Sequence, residues 1–123
     1  MRDVSEYLVF VERARRAEKA FKILWKNGLY EDALSRGYYA IIHLCFAILI
    51  KNDLTIPKTH AGLIAKLWQC RKDLKLDEKT IKSISRIQSL RESSDYGVVP
   101  TITEDDLKVV EEVIRNLKEV LGC

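Results

Sequence analysis

The chain is organised around one run, Arg36-Gly37-Tyr38-Tyr39-Ala40-Ile41-Ile42-His43-Leu44-Cys45-Phe46-Ala47-Ile48-Leu49-Ile50-Lys51. From Tyr38 to Ile50 it is apolar or aromatic, and His43 alone breaks it. A helix that is apolar on all sides belongs in an interior. The run is shorter than the roughly 20 apolar residues that a bilayer crossing needs. It therefore predicts the central helix of a bundle, with other helices packed around it. Each large apolar side chain fully buried there contributes roughly 1.5–3 kcal/mol before chain entropy is subtracted.

The flanking segments carry helical periodicity. Tyr7, Phe10, Ala14, Ala17, Phe21 and Leu24 form one seam, which predicts a helix from Asp3, its cap, to Asn27-Gly28, a helix stop. Val4, Leu8 and Val11 lie off that seam as a second apolar strip, for the last helix or for a second copy of the chain. The central helix spans Tyr30 to Lys51. A third helix runs from Thr59 to Lys72 on Leu63, Ile64, Leu67 and Trp68, and a fourth from Asp77 to Ser94 on Ile81, Ile84, Ile87 and Leu90. Thr103 and the acids after it open a fifth, with Leu107, Val110, Ile114, Leu117 and Leu121 as its seam. No segment has the period of a strand. The expected fold is a single all-α domain over residues 1–123, an up-and-down bundle of four or five helices with antiparallel neighbours.

Composition changes this picture little. With 47% hydrophobic and 32% charged residues the chain is globular rather than disordered. The net charge of +3 is compatible with a phosphate-bearing or acidic partner without requiring one. Arg15, Lys19, Lys22 and Lys26 make a basic stripe on the first helix, read first as a solvated face. Three cysteines cannot all pair within one chain, and no apolar leader follows Met1. Both point to a cytoplasmic protein, not secreted and without a membrane.

The chain has no phosphate-cradling glycine loop, H-E-x-x-H, C-x-x-C or G-x-S-x-G. No metal site or cofactor is expected from two histidines and three scattered cysteines. The candidate chemistry is a cluster. If the third helix begins where the second ends, and an antiparallel fourth ends there too, then Lys51, Lys58, His60, Arg91, Asp95 and Tyr96 share one end of the bundle. Helical phase turns Arg91 inward, with Asp95 one turn on as an acceptor. Such a set can bind phosphate, or assist attack by a ribose 2′-hydroxyl. Arg36 and His43 also match R-x6-H as a string. Inside the buried run, that match reads as coincidence or core hydrogen bonding.

Three segments, Ala33-Leu34-Ser35-Arg36-Gly37-Tyr38-Tyr39-Ala40-Ile41-Ile42-His43, Thr59-His60-Ala61-Gly62-Leu63-Ile64 and Leu90-Arg91-Glu92-Ser93-Ser94-Asp95-Tyr96-Gly97, occur in this order ahead of the acid-rich last helix. Together they resemble the small stand-alone prokaryotic HEPN-domain proteins. The resemblance implies a helical bundle that forms a homodimer and acts with a minimal nucleotidyltransferase, often in a toxin–antitoxin module. Active members are metal-independent endoribonucleases with R-x4-6-H near the end of a late helix. Arg91 matches the motif's arginine, and Asp95-Tyr96 stands where its histidine would follow. The reading is a nucleotide- or RNA-binding module in which Lys58 and Arg91 meet phosphate and Asp95 orients Arg91. Tyr96 then stacks on a base or offers a modifiable hydroxyl. The alternatives are a ribonuclease with His60 and Arg91 as its catalytic pair, and a non-catalytic dimeric scaffold.

Overall fold

The computed structural model describes residues 4–95 and 101–122, with the side chain of Asp95 outside the description. Five helices follow one another: α1 (Val4–Lys26), α2 (Tyr30–Lys51), α3 (His60–Leu74), α4 (Glu78–Asp95) and α5 (Glu104–Leu121). Their boundaries have local causes. At the end of α1, Gly28 adopts φ 75°. Its N–H bonds to the Trp25 carbonyl and that of Leu29 to the Leu24 carbonyl, which together make a Schellman stop. The Thr59 hydroxyl caps α3 by accepting from the Gly62 N–H at 2.9 Å. Asp77 caps α4 by accepting from the Thr80 N–H at 2.7 Å. Thr103 and Asp106 form a capping box on α5. The expected cap of α1, Asp3, lies outside the described residues.

The all-α bundle holds as expected, and α2 is its axis. Ala40, Ile41, Cys45, Ala47, Ile48 and Leu49 are fully buried. They meet Phe21 of α1, Leu67 of α3, Ile84 of α4 and Leu107, Val110 and Leu117 of α5 in one core. By length and hydropathy the whole of α2 would suit a membrane crossing, but 72% of its apolar window is buried inside the bundle. The surrounding helices already cover it, as in a core helix. Burial raises the Cys45 thiol pKa to about 12.

Gly37 sets the closest approach in this core. A Cβ there would collide with Cγ1 of Val110 on α5 and come within 3.0 Å of the Phe21 ring on α1. The lack of a side chain lets three helices converge beside the aromatic pair Tyr38-Tyr39.

Two expectations need correction. First, α2 is not closed on every side. Arg36 and Tyr39 are exposed, and His43 and Phe46 are only half-buried. This i, i+3, i+7 strip runs along one edge of the helix. Second, Lys51 does not share an end with His60 and Arg91. Its ammonium donates to the Leu121 carbonyl at 2.9 Å, at the C-terminus of α5. His60 instead meets Tyr38, about 20 Å back along α2 at 1.5 Å per residue. The connection from Asn52 to Thr59 must therefore return along the bundle before α3 begins. The assumption that each helix starts where the previous one stops fails at this crossover. The pairing of α3 with α4 does hold, since Arg71 near the end of α3 meets Glu78 at the start of α4 at 3.3 Å.

Ile48 is fully buried, so Ile48→Ala is expected to lower the unfolding free energy by about 2–5 kcal/mol. Urea denaturation checks this. A loss below about 0.5 kcal/mol, the range of surface sites, would contradict a central α2. Gly37→Ala is expected to lower the melting temperature as well, because its methyl must displace the packed Val110 and Phe21 side chains.

Candidate functional site

The most distinctive polar cluster lies where the end of α4 and the start of α3 reach the N-terminal half of α2. Tyr38 and Tyr39 are successive helical residues, so their side chains diverge by about 100°. The Arg91 guanidinium on α4 lies over both rings, 5.2 Å from the Tyr38 centroid and 5.3 Å from that of Tyr39. Each contact is a cation–π arrangement, strengthened where water is excluded. Tyr38 is 1% exposed and Tyr39 40% exposed. One ring thus covers the arginine from the core side, and the other is open to solvent.

His60, in the first turn of α3, completes the cluster. Its Nδ1 lies 2.9 Å from the Tyr38 hydroxyl, and the rings meet edge to face at 5.4 Å. Burial raises the Tyr38 pKa above its ordinary value, and the positive charge of Arg91 offsets this only in part. Tyr38 therefore keeps its proton, which it can donate in this hydrogen bond. In that arrangement the imidazole accepts at Nδ1 and carries its own proton on Nε2. The imidazole is exposed, and the bond holds its orientation and favours that tautomer.

The sequence-predicted residues are only partly united. Arg91 turns inward as its helical phase predicts, and His60 joins it through Tyr38. Lys58 is exposed in the loop ahead of α3. Asp95 is the last residue of α4. Its side chain, and Tyr96 entirely, lie outside the described residues. Sequence reasoning missed the tyrosine pair as site residues because it counted them toward the apolar run. Their signal was adjacency, since two neighbouring rings on one helix can flank a single cation.

A second feature was also missed. Arg13, Arg16, Arg36, Tyr39 and His43 line a cleft of about 390 Å³ between α1 and α2. His43 stacks on Phe10 at 5.8 Å and on Tyr39 at 6.2 Å. Its Nδ1 is buried with no hydrogen-bond partner among the described residues. The R-x6-H string is therefore not core hydrogen bonding, because Arg36 and His43 face this cleft together. Burial, and then the nearby Arg13 charge, lower the His43 pKa, so the ring is neutral near pH 7. Among the described residues, no group of three or more His, Cys, Asp or Glu side chains could hold a metal ion.

The fold and this cluster define a small helical domain whose chemistry is cationic and aromatic. The chain belongs to the HEPN domain family, whose model matches residues 7–123. It is 38% identical over 96 residues to a "UPF0332 protein" of Archaeoglobus fulgidus, an alignment covering 76% of each chain. It is 32% identical to "Putative toxin MJ0605" of Methanocaldococcus jannaschii, across 98% of this chain and 96% of that one. A "UPF0332 protein" of Thermotoga maritima is 28% identical, over 86% of this chain and 89% of its own.

Tyr38→Phe removes the donor that fixes His60. The bond is partly exposed, so the expected stability loss is modest, about 1 kcal/mol. Imidazole nitrogen shifts should move from a dominant Nε2–H form toward a tautomer mixture. An unchanged tautomer ratio would show that the Tyr38 hydroxyl does not set the proton's position.

Proposed function

We propose that this chain is a toxin-like HEPN module of the cytoplasm that binds RNA or a nucleotide and acts with a minimal nucleotidyltransferase. The observation that carries the binding role is the Arg91 guanidinium held over Tyr38 and Tyr39 with His60 at the rim. A guanidinium gives a planar, permanently charged contact for phosphate. An exposed tyrosine beside it offers a face on which a base can stack. Asp95 follows Arg91 by one helical turn and orients it, Lys58 adds charge from the loop before α3, and Tyr96 stands beyond the end of α4. Membership of the HEPN family and the toxin name of the Methanocaldococcus relative support the toxin-like role.

The Tyr38–His60 bond favours a second reading, a metal-independent ribonuclease. With Nδ1 occupied, proton transfer falls to Nε2. In the imidazole form with Nε2 as base, His60 accepts the proton of a ribose 2′-hydroxyl as that oxygen attacks the adjacent phosphorus. The 5′-oxygen then leaves and takes a proton from solvent, while Arg91 holds the charged phosphate. The tautomer exchange that this requires is open to an exposed imidazole.

The proposed homodimer rests on α1, where Val4 is 66% and Leu8 56% exposed. Val11, the third residue of that strip, packs partly on the chain's own core.

Arg91→Ala is expected to weaken single-stranded RNA binding by about tenfold or more while leaving most of the fold intact. Fluorescence anisotropy and thermal melting on one sample test this. Unchanged affinity with a clearly lowered melting temperature would assign Arg91 a structural role instead. His60→Ala should reduce cleavage far more than binding if His60 carries a proton. Light scattering at micromolar concentration should give twice the chain mass, and a clean monomer would refute the dimer.

A further inference from the structure

The cleft between α1 and α2 shares Tyr39 with the Arg91 cluster. Arg13 and Arg16 are one turn apart on α1, and Arg36 faces them from α2. None of these three arginines has a carboxylate within ion-pair distance among the described residues. Other cations on the surface do. Arg15 pairs with Glu12 at 2.7 Å, Lys22 with Glu18 at 3.3 Å, Arg86 with Asp106 at 3.3 Å and Lys118 with Glu18 at 3.1 Å. Glu12, the acid that feels the Arg16 charge, is bonded to Arg15. The guanidiniums of the cleft rest on rings instead, Arg13 over Phe10 at 5.8 Å and Arg36 over Tyr39 at 5.7 Å. Like charges gathered without a counter-charge repel one another, and an anion that enters among them relieves the repulsion.

Tyr39 joins the cleft to the Arg91 cluster. Arg36 lies 5.7 Å and Arg91 5.3 Å from the centroid of its ring, and the residue is 40% exposed. Arg13, Arg16, Arg36, Tyr39 and Arg91 thus form a continuous cationic strip across α2 with one accessible ring near its middle. A single phosphate would use one part of this strip. A strand with successive phosphates and a base between them would use all of it.

We propose that the α1–α2 cleft is a second phosphate-binding subsite, which holds the backbone of a single-stranded RNA whose neighbouring nucleotide stacks on Tyr39 and whose next phosphate meets Arg91. This rests on the RNA-binding reading above and extends it to a site on α1 and α2. The cleft sets strand direction and affinity, while the Arg91 end holds the reacting phosphate.

The test uses the full chain with Arg13→Gln/Arg16→Gln. Both side chains are exposed and neither has an ion-pair partner among the described residues, so the melting temperature should stay unchanged. Anisotropy with a fluorescein-labelled single-stranded 12-nucleotide RNA is measured over a salt series. The expected result is affinity at least tenfold weaker and a log Kd against log[salt] slope shallower by about 1.4, near 0.7 for each lost phosphate contact. Tyr39→Leu should weaken binding too, and Tyr39→Phe should restore it. Unchanged affinity and slope in the double variant would overturn the proposal. So would failure of the wild-type chain to bind the RNA. If Arg91→Ala weakens binding and the double variant does not, the Arg91 site stands and the cleft falls. The opposite pattern keeps the cleft and removes Arg91. A double variant that changes only the mass in light scattering would mark the cleft as an interface between copies of this chain, and would also overturn the proposal.

Discussion

The burial of α2 is the constraint on which the rest of the molecule depends. Thirteen of its side-chain positions, from Ala33 to Ile50, are buried. A helix this apolar is stable in water only when other helices remove it from solvent. Four amphipathic helices can do so only by presenting their own seams to it. Phe21, Leu67, Ile84 and Val110 are each almost wholly inaccessible because each packs into the one core built on that axis. The surface charges then hold little of the fold together. Pairs such as Lys79–Glu112 at 3.7 Å are exposed and contribute about 0–1 kcal/mol.

The same packing leaves one edge of α2 uncovered, and the candidate chemistry follows that edge. Arg36, Tyr39 and His43 recur along it, and Tyr38 sits just inside. A polar group in the wall of a bundle must find a partner or reach water. Tyr38 finds His60 and Arg91, and in doing so holds the α3 and α4 side chains of the cluster. The site is therefore a boundary of the core, and its rigidity comes from α2.

Arg91 and the α1–α2 cleft differ in electrostatic setting. Arg91 is half-buried between helices, where a guanidinium is held in place by packing on two rings. Arg13, Arg16 and Arg36 are exposed and surround a shallow space. Exposed cations act through summed field and are screened by salt, whereas a packed cation acts through position. One region is suited to attract a polyanion and the other to align one phosphate of it.

The periodicity of Leu107, Val110, Ile114, Leu117 and Leu121, the caps Thr59, Asp77 and Thr103, and the stop at Asn27-Gly28 determined the helices by themselves, since each is a local property of a few neighbouring residues. The inward phase of Arg91 was legible for the same reason. The sequence alone could not place the crossover from Asn52 to Thr59, so Lys51 was expected beside His60 while α3 in fact starts against Tyr38. Nor could it show that Arg13 and Arg16, rather than the stripe of Arg15 and Lys22, face Arg36 across a cleft. A loop's path and the angle between two helices depend on how side chains distant in sequence interlock. Only the packed structure decides them, and so only it decides which cations meet.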